Sequence, residues 1–263
     1  MTVDELLGIN GDLVRPAAGW GNQWGSTFGG YVAGVLMHAL ERELPAGQSL
    51  TTVHVNFVQP LRTDAEGRLS VDIHRIGRTA SSLGVRVEQD TGIAATALGW
   101  SSAEVDQASR IDAPTHDVRP PETYEPSRPV GDSPSPSFVE RDFDMRTVTR
   151  DEGAPLTLQW MRLKRLELGK GDPWPAGAVG LVADMVGAGQ HHAAVLALGA
   201  VHALLSLDLT IRLTSAPRGP WVLGVFDNVA LARGRAIGRG ELYDEQGTFV
   251  AGITQLSLIR PFM

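Results

Sequence analysis

The stretch 178–213, AVGLVADMVGAGQHHAAVLALGAVHALLSLDLTIRL, holds two hydrophobic patterns in succession. Residues 178–199 are apolar and rich in Gly and Ala, and predict a buried helix. Residues 204–213 then alternate, with Leu205, Leu207, Leu209 and Ile211 set against Ser206, Asp208 and Thr210, the period of a strand with one buried face. The same order stands earlier in the chain. GGYVAGVLMHALEREL (29–44) places Val32, Val35, Leu36, Ala39 and Leu40 at helical spacing and ends in charge before Pro45. TTVHVNFVQ (51–59) then alternates Val53, Val55 and Phe57 with Thr52, His54 and Asn56.

Three strand-like segments follow in each half: GRLSVDIHRIG, SSLGVRVEQ and GIAATALGWSS in the first, WVLGVFDNVAL, AIGRGELYDEQ and TFVAGITQLSLI in the second. The turn Glu245-Gln246-Gly247 matches Asp90-Thr91-Gly92 at an offset of 155 residues, and the first alternating strands align at 154. So steady an offset predicts a duplication. Each half reads as one long helix followed by a meander of antiparallel strands, an α+β layout in which the sheet wraps its own helix. Between the halves, seven of the 16 prolines fall from Pro114 to Pro136. Proline removes a backbone donor and restrains the residue before it, so no helix or central strand is expected there. The expected organisation is an N-terminal unit over 1–103, a Pro-rich linker over 104–136 and a C-terminal unit over 137–263.

Composition narrows the chemistry. The chain of 263 residues has 43% hydrophobic and 20% charged residues, enough to build a core. A formal net charge of −7 without a Lys/Arg run argues against nucleic acid and anionic membrane surfaces as partners. The absence of cysteine excludes disulfides, thiolate metal sites and a Cys nucleophile, and fits a cytoplasmic location. The acidic start MTVDELLGIN is unlike a secretory signal. The most apolar stretch, Ala176 to Leu207, is broken by Asp184, Gln190, His191, His192 and His202, so no membrane-spanning helix is expected. Rossmann and Walker fingerprints and a GxSxG elbow are all missing. His191 and His192 are adjacent and diverge by about 100° on a helix, which does not suit a shared metal, and no metal site is expected.

Five residues carry candidate chemistry. Asp184 is the only formally charged residue from Pro173 to Leu207. A carboxylate there is either a desolvated general base or a helix residue that reaches solvent or caps a turn. Ser206 shares its expected strand face with Asp208 and Thr210, which reads as a solvent face. Gln255 interrupts an apolar strand, where it either orients a water or substrate carbonyl or satisfies a backbone group. Gly29 and Gly30 open the first helix, where bare N–H groups can seat an oxyanion or the glycines can allow close packing.

Taken together, GSTFGGYVAGVLMHAL, RIGRTASSLGVRVEQDTG, LVADM, SLDLTIRL, GRAIGRGELYDEQG and FVAGITQLSLIR resemble the acyl-CoA thioesterase family of the double hotdog fold, the thioesterase II type. The resemblance covers nearly the whole chain outside the linker. It implies two tandem helix-plus-sheet repeats forming one continuous sheet around two long helices. It also implies that Asp184, Ser206 and Gln255 bind the attacking water, so the activity implied is hydrolysis of a fatty or related acyl-CoA to free acid and CoA. No cofactor is implied beyond the CoA of the substrate. Gly29 and Gly30 would face the oxyanion, and Arg78 and Arg235, in comparable places of the two halves, would meet CoA phosphates. A homo-oligomer through sheet edges is the further partner implied. Two other readings stay open: a hotdog-fold enoyl-CoA hydratase pairing Asp184 with His191 or His192, and a non-catalytic acyl-CoA or lipid-binding protein.

Overall fold

The structure, a computed structural model, describes residues 1–21, 27–104, 116–127, 138–148, 156–169, 171–199 and 202–261. The first half runs α1 (Val3–Leu7), β1 (Ile9–Asn10), β2 (Leu13–Val14), α2 (Gly29–Arg42), β3 (Gln48–Phe57), β4 (Gly67–Arg75), β5 (Ala80–Gln89) and β6 (Gly92–Ala103). The second half runs α3 (Phe138–Asp142), β7 (Phe143–Thr147), β8 (Leu156–Leu163), α4 (Ala176–Ala183), a 3-10 turn (Asp184–Val186), α5 (Gly187–Leu198), β9 (His202–Leu213), β10 (Val222–Ala232), β11 (Arg235–Asp244) and β12 (Phe249–Pro261). Among the described residues these strands form one antiparallel sheet in the order β1-β2-β4-β5-β6-β3-β9-β12-β11-β10-β8-β7. The duplicated meanders therefore join through β3 and β9, where Val55 lies opposite Leu209 and Val53 opposite Ile211. All four side chains are fully buried, so the seam is also part of the core.

The tight turns expected at 90–92 and 245–247 form as read, each closing on a glycine of positive φ, 110° at Gly92 and 77° at Gly247. Both halves also carry a β-bulge next to the seam strand. Pairing slips between Leu50 and Thr52 in β3, and between Ser206 and Asp208 in β9.

Two expectations need amendment. The second helix is interrupted: α4 ends at Ala183, a tighter 3-10 turn spans Asp184–Val186, and α5 runs from Gly187. The region before it, read without strands, supplies β7 and β8. Much of the proline-rich stretch, 105–115 and 128–137, lies outside the described residues. Its described part does more than cross the surface. Val118 and Tyr124 pack on a second apolar cluster that includes Trp160, Trp221, Leu223 and Tyr243. Arg146 donates to the Tyr124 carbonyl at 2.9 Å, and Ser127 N–H donates to Met145 O at 2.7 Å, so the segment covers the outer edge of β7. At the opposite edge β1 is only two residues long. Short or covered edges leave little backbone for pairing with another sheet.

Helices α2 and α4 lie against each other closely enough that a Cβ on Gly180 would sit 2.7 Å from the Gly34 Cα. At one end of this pair, Glu41 of α2 caps α4: both carboxylate oxygens accept from Ala176 N–H at 3.1 Å. Burial pushes the Glu41 carboxyl above the usual range, while the Ala176 N–H and then the His38 charge pull it back. Replacing Glu41 by Ala leaves that N–H without its acceptor and should lower unfolding free energy by about 1 kcal/mol. Glu41→Gln should retain most of it, as read by urea titration.

Candidate active site

The close crossing of α2 and α4 sets the C-terminal end of one helix beside the N-terminal end of the other. Asp184, at the C-cap of α4, is thereby brought to the first turn of α2, where Gly30 N–H donates to its carboxylate. The positive end of the α2 dipole faces the same group. Gly29 makes room for it, because a Cβ there would lie 2.7 Å from Asp184 Oδ2. Of the two readings left open for Gly29 and Gly30, close packing is therefore realised at Gly29. The Gly30 N–H donates to the carboxylate.

Gln255 reaches Asp184 from β12, with its Nε2 donating to Asp184 Oδ1 and lying 3.0 Å from Ser206 Oγ. The Ser206 hydroxyl also bonds the Asp184 carboxylate. Thus the three residues singled out by the resemblance converge, from a helix end and two adjacent strands. Asp184 is 7% exposed and Gln255 2%. Burial pushes the Asp184 carboxyl up to about 7, and hydrogen bonds from Gln255, Gly30 and Ser206 oppose the rise. The amide of Gln255 points its donor at the carboxylate, which leaves Oε1 buried and without a partner among the described residues. A buried acceptor of that kind costs stability.

Ser206 gets there by a slip in β9. Plain alternation from the buried Leu209 would place Ser206 on the outer face with Asp208 and Thr210, as the sequence reading had it. Instead Leu207 is an extra residue. Asp208 pairs with Leu256 and Ser206 with Ser257, a residue 1% exposed on the helix-facing side. One inserted residue reverses the facing of every position beyond it. Asp208 and Thr210 keep the outer face, where Thr210 Oγ1 lies 2.7 Å from His54 Nδ1 across the seam.

Sequence reasoning passed over Gln190. This fully buried α5 side chain donates to Gln255 O at 3.1 Å and accepts from Ser257 Oγ at 2.7 Å, tying β12 to the helix beside the site. Its available signal was a polar residue inside an apolar helix facing Gly238, where a Cβ would lie 2.6 Å from Gln190 Nε2. Arg78 and Arg235 are not brought into the cluster. Both are exposed; Arg78 lies between β4 and β5, and Arg235 stands opposite Leu258, while its neighbour Ala236 takes the buried face. The His192 side chain lies outside the described residues. No cluster of His and carboxylates able to hold a metal occurs among the described residues. Cavities of about 370 Å³ beside Ala39 and Arg42 and about 480 Å³ beside His116 and Tyr243 are lined by none of the three site residues.

The first half lacks the same constellation. Around its bulge Leu50 stands where Ser206 stands, and Gly99 where Gln255 stands, packed towards Leu40. Counted from the two helix N-caps, Met37 occupies the place of Asp184. Gly29→Ala should cost about 1–3 kcal/mol of stability by crowding the Asp184 carboxylate. Gly187→Ala, whose Cβ would meet only Gln255 Oε1 at 3.7 Å, should be close to neutral in the same denaturant titration.

The sequence matches the acyl-CoA thioesterase N-terminal domain over residues 16–102 and the acyl-CoA thioesterase C-terminal domain over residues 110–259. No curated protein matches it. Among solved structures it is similar to a conserved protein of unknown function with a hot dog fold from Alicyclobacillus acidocaldarius, at 19% identity and a TM-score of 0.81, covering 99% of this chain and 98% of that one. It is also similar to acyl-CoA thioesterase II TesB2 from Mycobacterium marinum, at 20% identity and a TM-score of 0.75, covering 99% of each chain. The tesB protein of Mycobacterium avium subs paratuberculosis aligns at 20% identity and a TM-score of 0.74, over 95% of this chain and 92% of that one. The continuous sheet built from two helix-and-meander repeats and the match of both domains place the chain in the acyl-CoA thioesterase family, as a thioester hydrolase with a double hotdog fold.

Proposed function

We propose that the chain hydrolyses a fatty or related acyl-CoA to free acid and CoA by direct attack of water, with Asp184 as general base. The observation that carries this is the desolvated Asp184 carboxyl, pushed up to about 7 and ringed by Gln255, Ser206 and the Gly30 N–H. A base whose pKa lies near neutrality removes a proton efficiently while still being substantially ionised.

In this reading water is oriented by Ser206 Oγ and the unpaired Gln255 Oε1, within reach of Asp184. Asp184 takes a proton as the water oxygen bonds to the thioester carbonyl carbon. The developing oxyanion lies towards the positive end of α2. Collapse of the tetrahedral species breaks the carbon–sulfur bond, and the proton held by Asp184 passes to the departing thiolate. No acyl-enzyme forms, consistent with a chain that lacks cysteine. Among the described residues, the groups bonded to the Asp184 carboxylate are an amide, a hydroxyl and a backbone N–H.

The test is free-thiol release across short, medium, long and aromatic acyl-CoAs, run beside the absorbance of an enoyl-CoA. Thiol release from a saturated acyl-CoA is expected. Loss of enoyl absorbance without thiol would favour hydration, and tight binding without either reaction a carrier. Asp184→Asn should lower kcat by about 100-fold or more. For the wild type, kcat/KM should rise through about pH 7, where Asp184 ionises, and level off above it.

Linkage gives the stability side with its sign. The folded-state pKa of Asp184 exceeds that of an unfolded Asp, so between the two values the native state binds more protons and stability falls as pH rises. Asp184→Asn should therefore raise the melting temperature at pH 8 and do so much less at pH 5.

A further inference from the structure

We propose that Asp208 is a positioning residue of the hydrolytic site, because its carboxylate holds the β9–β12 bulge that turns Ser206 towards Asp184. The inference rests on the reading of Ser206 as part of that site.

Where β9 carries its extra residue, the ladder is interrupted and the opposing strand has a backbone donor to place. Leu256 N–H donates to Asp208 Oδ1 at 2.9 Å, so a side chain of the bulged strand takes the bond. Leu256 lies between Gln255 and Ser257. A displacement of this one residue therefore moves both the Gln255 amide and the strand position facing Ser206. On the other side of the same three residues, Gln190 holds Gln255 O and Ser257 Oγ from α5. The segment is clamped from the neighbouring strand and from the helix.

The first half offers an internal comparison. Its bulge is also bridged by a side chain of the bulged strand, with Thr51 Oγ1 donating to Trp100 O at 3.1 Å. There Leu50 occupies the position of Ser206, so the irregularity persists where no such site exists. The fold thus supplies a bulge in both halves. What distinguishes the second is an acceptor fixed on the backbone N–H adjoining Gln255. An Asp on the outer face has no contact with the Asp184 carboxylate and acts only through this bond.

The experiment is a set of four variants, Asp208→Ala, Asp208→Asn, Ser206→Ala and the double Asp208→Ala/Ser206→Ala, assayed for thiol release with melting curves on each. Asp208→Ala should lower kcat about tenfold with KM changed less than about twofold, the size expected when one positioning bond is lost. Asp208→Asn keeps an oxygen that can accept from Leu256 N–H and should restore most of the rate. The double variant should be no slower than the slower single one, because both substitutions remove the same contribution. Additive losses, an unchanged kcat in Asp208→Ala, or an Asp208→Asn as slow as Asp208→Ala would each overturn the proposal. If Asp208→Ala does not fold, Asp208→Asn decides: activity near wild type, with the Leu256 amide slow to exchange, supports the clamp, and a slow enzyme overturns it. Should Ser206→Ala alone leave kcat unchanged, the assignment of Ser206 fails instead, and the two failures are distinguished.

Discussion

A carboxylate taken out of water between two helices is the constraint around which the second half is arranged. Asp184 sits where α4 meets the first turn of α2, and an ionised carboxylate so placed requires donors. Each nearby departure from regular structure serves that need. The absent side chain at Gly29 gives the carboxylate space, and the Gly30 N–H meets it. The 3-10 turn that opens with Asp184 follows α4 and leads into α5, whose Gly189 lies so near β10 that a Cβ would be 3.1 Å from the Asp227 backbone. The bulge in β9 swings Ser206 inward. A continuous helix beside a regular strand would leave Asp184 buried with fewer partners.

Duplication explains the frame but not the site. The two meanders share strand order, closing turns and bulge positions, and they join through a seam whose helix-facing side is apolar and whose outer side is polar. Yet Met37, Leu50 and Gly99 stand where Asp184, Ser206 and Gln255 stand, and Gly99 lies where its Cβ would be 2.9 Å from Leu40. The first half uses that volume as core. Its contribution to the cluster is the Gly30 N–H at the N-terminus of α2, so the cluster draws on both halves even though its three side chains come from one.

The frame was legible because it follows from period and punctuation. Alternation in 51–59 and 209–213, the glycine turns at Gly92 and Gly247 and the helical spacing in 29–44 each state a local preference that packing leaves in force, whereas Leu205, read on the buried face, is exposed beyond the slip. Asp184 was visible as an isolated charge in an apolar run. What stayed hidden depends on register across strands. Nothing in LLSLDLTIRL marks Leu207 as an extra residue, because the slip is defined only against β12, and alternation alone assigned Ser206 to the wrong face. The break at Asp184 was hidden because Ala, Val and Gly on both sides suit a continuous helix. Strands β7 and β8 escaped because Trp160, Met161 and Leu163 carry no clean alternation. Gln190 reads as an ordinary helix residue until Gly238 is seen beneath it.

The residues that bind Asp184 also set what kind of base it is. Burial alone would hold the carboxyl protonated well above neutrality, and a protonated Asp cannot accept a proton from water. Donors bring it back, but each stabilises the anion and so weakens it as a base. In the proposed hydrolysis Gln255 and Ser206 would therefore act in two ways that cannot be varied separately: they would orient the attacking water, and they would tune the proton affinity of the group that activates it. A value near 7 is where the two demands meet, with enough carboxylate present and enough basicity retained. The orientation of the Gln255 amide follows from the same balance. Turned over, it would set Oε1 against the carboxylate, remove a donor and raise the pKa further. As it stands, the amide gives its hydrogens to Asp184 and Ser206 and leaves the oxygen without a partner among the described residues, where the proposed hydrolysis would place the water.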